Sequence, residues 1–232
     1  MKKKDLVHPK RMLLWEKKAF LNGRTIIIGL DEAGRGPLAG PVVACACLLN
    51  PSPIKRFKHP KYDSRIDDSK KLSPRQRAEA FQEISKNTLF GISEKPHTYI
   101  DKKNIYQATL GAMRQAVKTL LRSYCKKNKL KEKDIKKDIC ILVDGDLKLG
   151  LPYKTISIIK GDSKCFVIAC ASILAKVTRD RIMEDYDKLF PQYGFVRHKG
   201  YGTARHIKEI KEHGPCPIHR KSFAPIKKDE SL

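Results

Sequence analysis

The segment TIIIGLDEAGRGPLAGPVVACACLLN, residues 25–50, constrains the fold of this chain more than any other. Two apolar runs flank a turn rich in glycine and proline, which predicts core strands at about 25–30 and 42–49. Two adjacent carboxylates, Asp31 and Glu32, open the turn. Charges at the end of a buried strand are costly to desolvate unless a positive group, such as a divalent cation, offsets them. The simpler alternative for such a pair is a solvated turn whose acids cap nearby amides.

The net charge indicates the class of partner. The chain has 232 residues, enough for one domain with a core, and 41% of them are hydrophobic, which is typical of a globular protein. It contains 49 lysines and arginines against 25 acidic residues, a net charge of +24 that predicts a polyanionic partner, most simply nucleic acid. Basic runs at 2–4 and 126–137 are typical of solvated faces or loops, so the charge locates no site.

The cysteines indicate a reduced, cytoplasmic setting. There are seven, an odd number, and none forms a CxxC pair. Five of them lie in apolar stretches, as small core residues do: Cys45, Cys47, Cys140, Cys165 and Cys170. The cluster HGPCPIH at 213–219 has no second ligand pair at zinc-finger spacing, so we interpret it as a loop. The longest nearly apolar run, 165–175, is too short for a bilayer span, and we expect no targeting segment.

The remaining periodicity predicts a mixed sheet with helices packed against it. We expect a short docked helix at 12–15, a polar loop at 51–68, and a helix capped by Ser73 with Pro74 and Gln76 in its first turn. Further elements follow in chain order: a strand at 89–100, a helix over 105–121, strands at 138–143 and 154–160, a helix over 166–177 that continues to 189, and a short helix at 204–212.

Acidic residues recur at three predicted strand ends, as Asp31 with Glu32, as Asp144 and as Asp162. Sites in open α/β sheets gather at the carboxyl ends of strands, so four carboxylates would converge there. Like charges at that separation need cations, and hard divalent ions such as Mg²⁺ or Mn²⁺ match oxygen ligands. Asp162 alone would serve equally well as an N-cap of the next helix. Asp146 would share a strand face with Asp144, so spacing cannot choose between these two.

An ordered set of motifs resembles the type 2 ribonuclease H family, ribonuclease HII. The matching segments are DEAGRGPLAGPVV (31–43), DSKKLS (68–73), VDG (143–145), KGD (160–162), ASILAKVTRD (171–180), KGY (199–201) and HRKSF (219–223). The resemblance implies an α/β ribonuclease H-like fold, with a central mixed five-stranded sheet, flanking helices and a C-terminal helical segment. We expect one domain over 1–232, with a catalytic core at about 23–205 and a C-terminal segment at about 206–232.

The resemblance also implies an activity and assigns residues to it. The enzyme would hydrolyse RNA in RNA–DNA hybrids and at ribonucleotides embedded in duplex DNA, leaving 3′-hydroxyl and 5′-phosphate ends. Two divalent ions, Mg²⁺ or Mn²⁺, would be held by the four catalytic carboxylates Asp31, Glu32, Asp144 and Asp162. The implied substrate-binding residues are Gly34, Arg35, Gly36 and Tyr201 at the ribonucleotide, and Ser69, Lys70 and Lys71 at the phosphates. We expect a monomer.

Two other functions compete with this interpretation. A dinucleotide-binding oxidoreductase would use Gly34, Gly36 and Gly40, but the third glycine comes one place late and acids precede the glycines where a pyrophosphate must sit. A non-catalytic nucleic-acid-binding protein would explain the charge of +24. Acids at three strand ends would hinder such a protein, because they repel phosphate.

Overall fold

The computed structural model describes residues 13–48 and 64–227. The basic run at 2–4, Met12 and most of the predicted loop at 51–68 lie outside these residues. The strands are β1 (Ile26–Ala33), β2 (Val42–Leu48), β3 (Leu89–Lys95), β4 (Ile139–Asp144) and β5 (Lys154–Ile158). The α-helices are α1 (Leu14–Leu21), α2 (Pro74–Asn87), α3 (His97–Lys103), α4 (Ile105–Asn128), α5 (Glu132–Ile135), α6 (Phe166–Leu189), α7 (Phe195–His198) and α8 (Ala204–His213). Short 3₁₀ turns lie at Ser69–Lys71, Lys136–Asp138, Gly161–Ser163 and Pro191–Tyr193.

The five strands form one mixed sheet in the order β3-β2-β1-β4-β5, which confirms the predicted architecture. The β1–β2 and β2–β3 pairs are antiparallel, and the β1–β4 and β4–β5 pairs are parallel. Because β1 and β4 are neighbouring parallel strands, their carboxyl ends lie at the same edge of the sheet. This edge therefore brings together acids that are more than a hundred positions apart in the chain.

Helices cover both faces of the sheet, and the strand side chains alternate between them. Ile27 packs in the cluster that contains α6, whereas Ile26, Ile28 and Leu30 pack in the cluster that contains α4. Central strands that are buried on both faces carry continuous apolar runs, as β1 and β4 do. The five cysteines predicted to be core residues are all buried, and all seven cysteines are free thiols.

The third strand and the helix over 105–121 have different bounds in the structure. The third strand ends at Lys95, because Pro96 cannot continue the ladder and instead precedes α3. The helix predicted over 105–121 continues to Asn128, so the basic run at 126–137 is divided between the end of α4, α5 and a 3₁₀ turn. The capping box between Ser73 and Gln76 is present as predicted.

The helix α1 docks on the core through a buried acid that the sequence interpretation did not identify. Glu16 is fully buried, and its Oε1 accepts hydrogen bonds from the Val167 amide at 2.9 Å and from the Cys165 thiol at 3.2 Å. Burial raises the pKa of Glu16 to about 7. A carboxylate at this position stabilises the first turn of α6, whose amide groups have no partner within the helix. None of the helices in residues 13–48 and 64–227 has the length and apolar character needed to cross a membrane.

Close packing of β1 on α6 requires a glycine at position 29. A Cβ placed there would lie 2.3 Å from the backbone carbonyl carbon and oxygen of Val167. We therefore expect Gly29→Ala to lower the free energy of unfolding by about 1–3 kcal/mol, because overpacking forces the helix away from the sheet. Urea denaturation measures this change. Gly111→Ala in α4 is the matched control, because the added methyl would lie 3.2 Å from the flexible end of the Lys95 side chain and 3.8 Å from the Tyr99 hydroxyl rather than against backbone. Alanine also favours the helix over glycine, so stability should be unchanged or higher. Equal stability in both variants would contradict the expectation.

Candidate active site

Three carboxylates converge at the edge of the sheet where β1 and β4 end. Carboxylate oxygens of Asp31, Asp144 and Asp162 all lie within 4.8 Å of one another. Asp31 lies within β1 and Asp144 is the last residue of β4, so the parallel pairing of these strands places the two side by side. Asp162 lies in the 3₁₀ turn after β5 and does not cap α6, whose N-cap is Cys165, so the capping alternative is wrong.

The predicted site residues surround one cavity of about 220 Å³. Nine of them line it: Asp31, Glu32, Gly34, Arg35, Gly36, Ser69, Lys70, Asp144 and Tyr201. Asp162 joins the site through the carboxylate cluster, whereas Lys71 does not line the cavity. Ser172 and Lys176 of α6 also line it, and they were not predicted as site residues although both lie within the quoted motif at 171–180.

The backbone distinguishes Asp144 from Asp146. Asp144 Oδ1 accepts a hydrogen bond from the Gly161 amide at 2.6 Å, which fixes its orientation toward the turn that carries Asp162. The strand ends at Asp144, and Gly145 has a φ of +76°, a left-handed conformation that changes the direction of the chain. Asp146 is exposed, and among the described residues it is not part of the carboxylate cluster.

Burial and mutual repulsion raise the pKa values of three acids at this site. Burial, together with the nearby charges of Glu32 and Asp144, raises the pKa of Asp31 well above its usual range. Burial likewise raises the pKa of Glu32 and that of Asp162, and the Asp144 charge raises both further. Oxygen donors at this spacing, whose ionised forms repel one another, are the ligand set that hard divalent ions match. The residues therefore fit such an ion.

Neutral donors orient the most deeply buried of these acids. The Glu32 amide donates to Asp31 Oδ1 at 2.7 Å, and a hydrogen bond from the Ser172 hydroxyl lowers the pKa of Asp31. The Ser172 and Ser69 hydroxyl oxygens lie 3.0 Å apart. Ser69 of the DSKKLS motif thereby connects the 3₁₀ turn at Ser69–Lys71 to the acid cluster.

The two motif lysines differ in position. Lys70 Nζ lies 3.6 Å from Asp162 Oδ2, and its side chain is otherwise exposed. Lys71 Nζ lies 3.4 Å from Asp67 Oδ1 and directs its charge to a different carboxylate. The structure therefore brings only Lys70 to the acid cluster. Arg35 of the glycine-rich turn lies with its Nη1 3.5 Å from Glu32 Oε1.

A buried arginine holds the glycine-rich turn after β1. The fully buried Arg220 donates from its guanidinium to the carbonyl oxygens of Gly34 at 2.6 Å, Arg35 at 2.9 Å and Gly40 at 3.0 Å. Its own amide donates to the Leu38 carbonyl at 2.8 Å. The sequence interpretation quoted Arg220 within HRKSF but assigned it no role, because its partners are backbone atoms about 180 positions earlier in the chain.

A second buried arginine joins this turn to α6. Arg179 donates to the carbonyl oxygens of Pro41 at 3.0 Å, Ala39 at 3.0 Å and Lys199 at 2.9 Å. A Cβ at Gly34, where φ is +99°, would lie 2.1 Å from Arg179 Nε, so this position requires glycine. A signal for Arg179 was present in the sequence, since it is a cation near the end of a long apolar helix segment.

Tyr201 lies against this turn, next to the other residues that the resemblance assigns to the ribonucleotide. Its ring is 42% exposed and borders the cavity, and a Cβ at Gly36 would lie 3.7 Å from the ring. Lys176 Nζ and the Arg179 guanidinium carbon lie 5.9 and 5.8 Å from the ring centroid. Tyr201 therefore presents an aromatic face beside cationic groups, in the same cavity as the acids.

Comparisons with known proteins identify relatives in sequence and in fold. A profile of the ribonuclease HII family matches residues 28–226. A ribonuclease HII of Geotalea daltonii is 46% identical over 228 residues, which cover 96% of this chain and 94% of the relative. The ribonuclease H2 structure from Pyrococcus horikoshii OT3 superposes with a TM-score of 0.68 and 26% identity, covering 89% of this chain and 97% of that one. The structure of Bst-RNase HIII in complex with Mn²⁺ has a TM-score of 0.64 at 18% identity, covering 92% and 71% of the two chains.

The acid cluster predicts a characteristic pH dependence of stability in the presence of EDTA. The folded-state pKa of Asp31 is raised, so its ionisation disfavours the native state progressively as pH rises above about 4, the unfolded value. Asp31→Asn keeps an acceptor oxygen and removes the charge. We expect it to raise the thermal midpoint at pH 8, by about 2–4 °C for each 1 kcal/mol of repulsion relieved, and to have less effect near pH 4.

The control for this measurement is Asp146→Asn, which removes an exposed charge outside the cluster and should leave the midpoint nearly unchanged. Thermal unfolding followed by circular dichroism over pH 4–8 compares the three proteins. A midpoint for Asp31→Asn that is lower than that of the parent at pH 8 would show that the cluster is not electrostatically strained.

Proposed function

This chain belongs to the ribonuclease HII family and is a metal-dependent ribonuclease H that acts on nucleic acid, and we propose that it cuts both RNA–DNA hybrids and duplex DNA containing single ribonucleotides. The observation that carries the proposal is the convergence of Asp31, Asp144 and Asp162 beside a glycine-rich turn. A non-catalytic nucleic-acid-binding protein is not favoured, because acids at this position would only repel phosphate.

The proposed ligands of the metal are Asp31, Glu32, Asp144 and Asp162. Glu32 lines the cavity next to the trio and would complete the set. Two divalent ions held there would polarise the attacking water and stabilise the charge on the leaving 3′ oxygen, giving 3′-hydroxyl and 5′-phosphate products. The proposed metal is Mg²⁺ or Mn²⁺, and the structure of Bst-RNase HIII in complex with Mn²⁺ supports a divalent ion of this kind.

The chain's own residues prepare the acids and the phosphate. Hydrogen bonds from the Ser172 hydroxyl and the Gly161 amide hold Asp31 and Asp144 in fixed orientations, so their oxygens need little rearrangement. Lys70 lies at the mouth of the cluster, where it would contact the phosphate and offset its repulsion from Asp162. Ser69 would support this turn, while Lys71 would contribute only at a distance, since it faces Asp67.

The glycine-rich turn and Tyr201 would recognise the ribonucleotide. Distinguishing RNA from DNA at one position requires a contact with the 2′-hydroxyl. The backbone of Gly34, Arg35 and Gly36 can approach a sugar closely because two of these residues lack a Cβ. The Tyr201 ring offers a surface on which the sugar can pack and a hydroxyl that can donate or accept. Its proximity to Gly36 supports a shared subsite.

The cysteines and the net charge also bear on where the enzyme acts and on what it binds. We propose that it acts as a cytoplasmic monomer in DNA repair and replication, where ribonucleotides in DNA are removed. The seven free cysteines support a reducing compartment. The charge of +24 supports binding to duplex phosphates outside the acid cluster.

The metal assignment is tested with duplex DNA that contains one ribonucleotide. Asp144→Asn should lower kcat by two or more orders of magnitude, because a ligand charge is lost while substrate binding remains largely intact. Asp146→Asn is the matched control and should retain parental activity, since its side chain is exposed outside the cluster. EDTA should abolish cleavage by the parent. The reverse result for the two variants would assign the role to Asp146.

The recognition assignment is tested by comparing the single-ribonucleotide duplex with a long RNA–DNA hybrid. Tyr201→Ala should lower kcat/KM more on the single ribonucleotide, where no neighbouring ribose can substitute, by about 5- to 100-fold for a lost buried polar contact. Tyr201→Phe should have a smaller effect because the ring remains. Equal losses on both substrates would leave Tyr201 as a structural residue and remove this assignment.

A further inference from the structure

Three histidines lie behind Tyr201, and the chemistry proposed above uses none of them. His198, His206 and His219 are all buried, with exposed fractions of 9%, 0% and 1%. The rings of His198 and His206 stack with centroids 4.3 Å apart, and the Nε2 atoms of His206 and His219 lie 3.0 Å apart. Phe195 and Tyr193 pack against the same rings. These histidines come from three separate segments of the chain.

The hydrogen-bond partners determine where each proton lies. His206 Nδ1 lies 2.9 Å from the Tyr201 carbonyl oxygen, which can only accept, so Nδ1 carries the proton. In a neutral ring His206 Nε2 is then an acceptor, and His219 Nε2 must donate to it. His219 Nδ1 accepts in turn from the Cys216 amide at 2.9 Å. These three hydrogen bonds form a relay in which every donor points the same way, from the Cys216 amide through His219 and His206 to the Tyr201 carbonyl.

Neutral rings are what this burial favours. Burial, with a smaller contribution from neighbouring histidines, lowers the pKa of both His206 and His219 to about 4. At neutral pH the two rings consequently keep the proton arrangement given above. The Tyr201 carbonyl also accepts from the Thr203 amide at 2.8 Å, so both of its lone pairs are used.

The third histidine ties the same segment to the glycine-rich turn. His198 Nε2 donates to the Tyr193 carbonyl at 2.8 Å, and Nδ1 accepts from the Gly200 amide at 3.2 Å. The Gly200 carbonyl accepts from the Leu38 amide at 2.7 Å, within the turn that follows β1. The backbone on both sides of Tyr201 is thus held by buried imidazoles, while its ring remains at the cavity.

We propose that His206 and His219 are positioning residues that hold the Tyr201 backbone so that its ring faces Gly36, and that they thereby set the selectivity for a single ribonucleotide. The inference rests on the proposed recognition role of Tyr201. It deepens that role by naming the groups that determine where the ring lies. Tyr201 needs such support because it lies in the irregular segment between α7 and α8, where no helix or sheet ladder orients the backbone.

Two substitutions at His206, each of which copies one ring nitrogen, separate the loss of the hydrogen bond to Tyr201 from the loss of ring packing. In His206→Asn the amide nitrogen replaces Nδ1 and retains the donor to the Tyr201 carbonyl. In His206→Gln the amide oxygen replaces Nε2 and retains the contact with His219, but the donor to Tyr201 is lost. Both variants lose the ring that stacks on His198, so their packing losses are matched.

Kinetics on both substrates give the first readout. We expect His206→Gln to lower kcat/KM on the single-ribonucleotide duplex about fivefold more than on the long hybrid, the order expected for one buried hydrogen bond. His206→Asn should preserve the parental ratio between substrates. In a Tyr201→Ala background, His206→Gln should change the ratio no further, because the relay acts through Tyr201. Additive losses, or equal ratios in the Asn and Gln variants, would overturn the proposal.

A second readout uses the unsubstituted protein and does not depend on whether any variant folds. Long-range ¹H–¹⁵N correlation spectra at pH 7 should show His206 as the neutral Nδ1–H tautomer and His219 as the neutral Nε2–H tautomer. An Nε2–H tautomer at His206 would leave no donor for the Tyr201 carbonyl and would overturn the relay. Equal losses on both substrates in Tyr201→Ala alone would instead reject the recognition role. A selective Tyr201→Ala effect with parental His206→Gln would reject the relay alone.

Discussion

The architecture of the site depends on two buried guanidinium groups that bind backbone carbonyls. Arg179 and Arg220 together contact the carbonyl oxygens of the turn after β1, and neither has a carboxylate within ion-pair distance in the described part of the chain. Burial lowers the pKa of Arg179 to about 10 and that of Arg220 to about 9, so both remain charged at neutral pH. The carbonyl dipoles that satisfy them are thereby held in one conformation, since releasing any carbonyl would leave a buried cation without its partner.

This arrangement gives the carbonyl groups of the glycine-rich turn fixed partners, although the turn has no regular secondary structure. The arginines occupy the carbonyls from the side of α6 and the C-terminal segment. A bridge between Ala39 and His219 adds a backbone connection to the same segment. The C-terminal residues are therefore part of the site's framework, although they lie some 180 positions from the turn.

The buried arginines and the buried acids differ in how their charges are compensated. The arginines are satisfied by neutral dipoles and need no further partner. The acids are buried beside one another, and their raised pKa values show that the fold alone does not compensate them. A site that is strained without a cation gains stability when a cation binds, which couples metal affinity to the geometry of the sheet edge. The close approach of α6 to β1 at Gly29 maintains that geometry, because α6 carries Ser172 beside Asp31.

Much of the fold was accessible from the sequence because it rests on local patterns. The apolar periodicity identified the strands and the long helices, and the Ser73 capping box marked the start of α2 to the residue. The predicted ends of two elements were less accurate than their positions. Pro96 ended the third strand early, and the helix over 105–121 continued to Asn128 because polar residues extend a helix without adding to its apolar stripe.

The sequence by itself determined the mixed sheet, the family, and the acids and glycines that were expected to form one site, because these depend on residue type, spacing and motif order. Only the tertiary structure decided which neighbours share that site. It separated Asp144 from Asp146 through the left-handed Gly145, and Lys70 from Lys71 through their different carboxylate partners. It alone revealed the contacts of the buried arginines and histidines, because most of their partners are backbone atoms that any residue supplies. Such contacts leave no pattern in residue type and arise only when distant segments pack together.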